Sequence, residues 1–89
     1  MDDNTTLSQL EELAGRLGIT IRYESLKIDG SGHMGGFCRI NGEDFLIVSR
    51  KATPREKIYI LVDTLKRRDM TEIYIVPSLR EILDAANGQ

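Results

Sequence analysis

The stretch Phe37-Cys38-Arg39-Ile40-Asn41-Gly42-Glu43-Asp44-Phe45-Leu46-Ile47-Val48 decides how this chain folds. Asn41-Gly42 is the strongest short signal for a β-hairpin, because a type I′ turn needs positive φ at both central residues. A two-residue loop also fixes the register. Ile40 faces Glu43, Arg39 faces Asp44, Cys38 faces Phe45 and Phe37 faces Leu46. Arg39 and Asp44 then form an opposite-charge pair on one face, which supports that alignment.

Working upstream, Ile19, Ile21 and Tyr23 alternate with Thr20, Arg22 and Glu24, so residues 19–24 read as a half-buried strand. Before it, Leu7, Leu10, Leu13, Ala14 and Leu17 recur at helical spacing and define a buried stripe about three turns long. Thr6 and Gln9 stand in capping-box relation at its start, and Gly18 suits a left-handed residue just past its end. Downstream, Thr53-Pro54-Arg55-Glu56 is the clearest helix start in the chain. Thr53 can cap, Pro54 suits the first turn, and Glu56 closes a capping box. Ile58, Leu61, Val62 and Leu65 form that helix's buried face, and Lys66, Arg67 and Arg68 gather where cations oppose the negative end of the helix dipole.

Residues 72–76 are β-branched and aromatic and read as a short strand or extended segment stopped by Pro77. Ser78 with Glu81 then predicts a third capping box, opening a helix with Leu79, Ile82, Leu83 and Ala86 inward and ending at Asn87-Gly88. The order α-β-β-β-α-(β)-α predicts an α+β fold, with helices packed on a small, mostly antiparallel sheet, in a single domain over 1–89.

Composition narrows the function classes. The 89 residues and 10.0 kDa suit one domain with a modest core. Twelve Lys and Arg against 14 Asp and Glu leave a net charge of −2, which argues against nucleic acid as a partner. One cysteine cannot form an internal disulfide, and four-thiolate or Cys₂His₂ zinc sites are excluded. The acidic start Met1-Asp2-Asp3-Asn4 does not resemble a signal peptide, and no apolar run approaches the ~18–20 residues a membrane span needs. A lone thiol suits a reducing cytoplasm, where we expect the protein to reside.

Three constellations bear on chemistry. Gly30-Ser31-Gly32-His33-Met34-Gly35 matches G-x-G-x-x-G letter for letter, but a hairpin follows it, whereas a dinucleotide site needs a helix there. The plainest reading is a turn between strands. The alternative is an anion-binding or nucleotide-binding loop using Gly30, Ser31, Gly32, Gly35 and Gly36, with Arg39 or Lys51 nearby. Second, His33 and Cys38 can be imagined as metal ligands or as a base and a nucleophile. Two ligands are too few for structural zinc, and the register sets Cys38 beside Phe45 and Ile40 on an apolar face, where a cysteine acts as a small hydrophobe. We therefore expect no catalytic, metal or cofactor site. Third, Tyr59 and Ile60 widen the apolar arc of their helix, and Tyr74 and Val76 lie in a segment apolar on both faces. These four are the candidate interface residues, with core packing as their other reading.

The region from Leu10 to about Arg67 resembles the opening of an ImmA/IrrE-type zinc metallopeptidase domain. Glu11 to Ile19 is similar to that family's "E-x-L-A-x-x-L-G-I" helix and strand, Leu46-Ile47-Val48-Ser49 to the end of its hairpin, and Thr53 to Lys57 to its next helix start. In the family that helix carries H-E-x-x-H, the zinc ligands and general base. Here the matching window is Asp63-Thr64-Leu65-Lys66-Arg67, which lacks both histidines and the glutamate. The resemblance therefore implies a catalytically empty relative. The segment from Ile75 to Glu81 also resembles small bacterial proteins of this length. The expectation that follows is a non-enzymatic bacterial protein, an interaction or regulatory module that pairs as a homodimer or with another protein.

Overall fold

The computed structural model describes residues 2–25 and 35–87. Its elements run α1 (Asp3–Arg16), β1 (Ile19–Glu24), β2 (Gly35–Ile40), β3 (Glu43–Ser49), α2 (Pro54–Leu65) and α3 (Pro77–Asn87), an α+β fold. The hairpin forms in the register its turn dictates, from Ile40 opposite Glu43 to Phe37 opposite Leu46. Asn41 and Gly42 have φ of 52° and 81°, the left-handed pair of a type I′ turn.

The sheet is mixed rather than mostly antiparallel. Its order is β1-β3-β2, with β1 parallel to β3 and β2 antiparallel to it. The reason lies in composition. β3 carries apolar residues on both faces, Leu46 and Val48 on one and Phe45 and Ile47 on the other, as a central strand should. β2 begins with two glycines and contributes less to either face, so it takes an edge.

All three helices lie on one side of the sheet. Leu46, Val48 and Ile19 face them and join Leu10, Leu13, Ala14, Leu61, Leu65, Leu79 and Leu83 in the core. Fully burying a leucine of this kind stabilises the fold by roughly 1.5–3 kcal/mol. α2 starts where expected. Thr53 Oγ1 accepts from the Glu56 N–H at 3.2 Å, and the Glu56 carboxylate accepts from the Thr53 N–H at 2.8 Å.

Two helix starts differ from expectation, and of the two readings for residues 72–76 the strand drops out. Asp2 caps α1, its Oδ1 accepting from the Thr5 N–H at 2.8 Å, so the helix begins earlier and Thr6 is buried within it. A carboxylate at the positive end of a helix outcompetes a hydroxyl one turn further in. α3 begins at Pro77 instead of being capped by Ser78, since the fixed φ of proline suits a first turn. Residues 72–76 form no strand. Ile75 is driven into the core, and the Tyr74 carbonyl accepts from the Arg16 guanidinium at 3.1 Å instead of from a neighbouring strand. The Gly88 expected to end α3, and Gly30, Ser31, Gly32 and His33, lie outside the described residues.

Candidate functional site

Edge strand β2 and helix α2 do not close against each other, and a groove of about 510 Å³ runs between them. On the helix side it is walled by Tyr59, Ile60, Asp63, Thr64 and Arg67, a stripe produced by spacings of three and four residues. Gly35, Gly36, Phe37 and Leu46 form the sheet side. Successive strand residues point to opposite faces. A groove lined by three consecutive ones therefore reaches along the backbone edge of β2 as well as its helix-facing surface.

Two of the candidate interface residues meet here. Tyr59 is 73% exposed, while Ile60 is only partly exposed and packs against the core. Phe37, 44% exposed, joins them from the sheet. Tyr74 and Val76 lie elsewhere, in a smaller groove of about 230 Å³ between the second half of α1 and the start of α3. The four candidates thus divide into two pairs on separate surfaces.

The basic run Lys66-Arg67-Arg68 lies just past α2, which ends at Leu65, rather than in its last turn, and it is not simply solvated. The Arg68 guanidinium lies 4.4 Å from the centre of the Phe37 ring and 3.5 Å from Asp44 Oδ2. Arg39 Nε donates to Asp44 Oδ1 at 2.8 Å. Asp44 sits on the helix-facing side of the central strand with its side chain 13% exposed. The Arg39 hydrogen bond, and the charges of Arg39 and Arg68 with it, hold its carboxyl below the usual range and outweigh partial desolvation. Lys66 and Arg67 share Asp63, each at 3.4 Å. The hairpin register exposes the Arg39–Asp44 pair in the sequence. The Arg68–Phe37–Asp44 contact joins distant segments, so no local signal reveals it.

The other candidate constellations lie partly outside the described residues, which leave out Gly30, Ser31, Gly32 and His33. Gly35 and Gly36 pair with Val48 and Ile47 in the strand ladder. Cys38 does lie beside Phe45 and Ile40, but that face is not core, because the helices occupy the opposite side. Cys38, Ile40, Phe45 and Ile47 instead make an apolar patch on the open face of the sheet, with the Arg22 guanidinium 5.9 Å from the Phe45 ring centre. Among the described residues, no three His, Cys, Asp or Glu side chains cluster as metal ligands, and no helix is long and apolar enough to cross a membrane. No protein-family model matches the chain, and no curated protein or solved structure matches it.

Proposed function

We propose that this chain is a non-enzymatic protein-interaction module whose docking surface is the groove between β2 and α2. The carrying observation is the pairing of two exposed aromatic residues, Phe37 and Tyr59, across a groove floored by Ile60 and Leu46 and rimmed by arginines. Aromatic and arginine side chains around an apolar floor are the composition that dominates protein-binding energetics. The resemblance to ImmA/IrrE-type domains accords with this reading. Asp63, Thr64 and Arg67, from the window that would hold the metal-binding motif, are here part of the groove wall.

Selection from a random peptide display library tests the proposal. Wild-type protein should enrich a common sequence, and Tyr59→Lys should lose it while keeping the wild-type circular dichroism spectrum. Tyr59 is the cleaner site to change, because Ile60 packs against the core and its replacement tests folding as well. Enrichment that survives Tyr59→Lys would refute this location.

A second reading, self-association, is favoured by a different observation. The sheet face carrying Cys38, Ile40, Phe45 and Ile47 has no helix over it among the described residues. Two such faces packed together would bury apolar surface that a small core leaves open, and a two-fold pair is the commonest way to do so. Native mass spectrometry should then show a dimer, and alkylation of Cys38 should slow as protein concentration rises. A monomer with concentration-independent alkylation would exclude it.

A further inference from the structure

We infer that the groove takes an extended acidic segment of a partner protein, which adds to β2 as a fourth strand. The inference rests on the docking reading above and specifies the ligand's conformation and charge. β3 is the only described partner of β2, so the other edge of β2 offers backbone groups for pairing. The phase follows from the turn. In a two-residue hairpin the closing pair, Ile40 and Glu43, is hydrogen-bonded, and bonded and non-bonded pairs then alternate. The N–H and C=O of Phe37 and Arg39 therefore point away from β3, out from the free edge of β2.

The glycines fit the same role. Gly35 and Gly36 line the groove without side chains; β3 itself approaches Gly35 closely, while Gly36 has open space around it for another backbone. Across from them stands the Tyr59, Ile60 and Thr64 wall of α2. A strand lying in this groove would turn alternate side chains toward Phe37 and Ile60, so main-chain bonds supply affinity and these side chains select residues, the usual division in strand addition.

Charge identifies the segment. Arg39, Lys66, Arg67 and Arg68 are four cations held on only two carboxylates, Asp44 and Asp63. They leave an excess of two positive charges beside the groove, in a chain whose net charge is −2. A second copy of β2 would bring Arg39 and the Arg68 cluster against their own kind. An acidic segment complements them.

The test is an amide NMR titration of ¹⁵N-labelled full-length protein with a blocked peptide of alternating valine and glutamate. Shifts should concentrate on Gly35, Phe37, Arg39 and the groove side of α2, and should weaken as salt is added. The lysine counterpart of the peptide should bind about tenfold more weakly. Methylating alternate backbone nitrogens should abolish binding of the acidic form. Arg67→Glu, at an exposed position whose one charged contact among the described residues is Asp63, should keep the fold and, by cancelling the excess of two positive charges, abolish the preference between the two peptides. No shifts at millimolar peptide, shifts away from β2, or indifference to N-methylation would overturn the inference. So would β2 amides that move on dilution without peptide, since a second copy would then hold the edge. Library peptides that need Tyr59 but are basic or helical would refute strand addition while leaving the docking reading intact. Selection indifferent to Tyr59 would refute that reading itself.

Discussion

Gly35 and Gly36 are neighbours in sequence and opposites in what they tolerate. A Cβ built on Gly35 collides with the Ile47 carbonyl oxygen and lies 3.1 Å from Val48 Cα, both backbone atoms of the central strand. No rotamer change relieves that clash, so Gly35→Ala must push β2 away from β3. Overpacking of this kind costs about 1–3 kcal/mol, offset by about 0.4–1 kcal/mol because alanine narrows the unfolded ensemble. The net expectation is a loss of about 1–2 kcal/mol. A Cβ on Gly36 meets nothing within 4 Å, and its φ is not positive. Gly36→Ala should therefore stabilise the protein by about 0.5 kcal/mol. With a urea m-value of about 1–2 kcal/mol/M for a chain this size, the two midpoints should differ by about 1–2 M. Urea unfolding followed by circular dichroism measures this directly. Equal midpoints, or a Gly35→Ala variant as stable as wild type, would refute the claim that β2 and β3 meet too closely there for a side chain.

Three further outcomes follow from named contacts. Thr53→Ala removes half of the capping box and should cost about 1 kcal/mol, seen as a drop of about 4–8 °C in Tm. Asp2, Asp44 and Asp69 are held below the ordinary value of 3.8, chiefly by hydrogen bonds from Thr5, Arg39 and Thr71 respectively. Their contribution is present above that pH and is lost as pH falls through the lower folded values, so the urea midpoint should fall on acidification, and less steeply in an Asp2→Asn, Asp44→Asn, Asp69→Asn triple variant. The Tyr23 hydroxyl donates to the Glu11 carboxylate, and burial, followed by that bond, pushes the phenol above its ordinary 10.0. This stabilisation is complete below about pH 10 and is lost as pH rises through the folded value. Tyr23→Phe should thus be roughly 1 kcal/mol less stable at neutral pH, with the gap to wild type closing in alkali.

What the sequence reveals divides by range. The hairpin, its register and the α2 capping box depend on residues within a few positions of one another, and all three appear as read. Alternation over 19–24 yields β1, but nothing local says that β1 runs parallel to β3 or that β3 lies between the other strands. Competition between signals explains the helix starts: Asp2 and Thr6 are both adequate caps, and only the folded chain shows which one wins. Residues 72–76 carry strand-forming side chains, yet strand propensity chiefly reflects a pleated surface to pack on. The segment finds helix α1 and the core instead. Cys38 shows the same limit from another side. Its face is apolar, and periodicity tells which residues share a face without telling which face the helices cover.

The groove is invisible at sequence level because it is a mismatch between elements, and Asp44 shows how that mismatch arises. On the helix-facing side of β3, Leu46 and Val48 bind the helices through the core, and the next position in the same row is a carboxylate. A charge there cannot be sealed beneath α2 unless it is paired, since burying an unpaired carboxylate is costly. Arg39 reaches it from β2 and Arg68 from beyond the end of α2, and the Arg68 guanidinium then covers Phe37. The polar cluster pins the end of α2 to the hairpin, while Gly35, the helix-facing glycine of β2, supplies no side chain behind it. The residue least suited to the core is thus the one that holds two arginines, Arg39 and Arg68, beside the opening and gives it their charge.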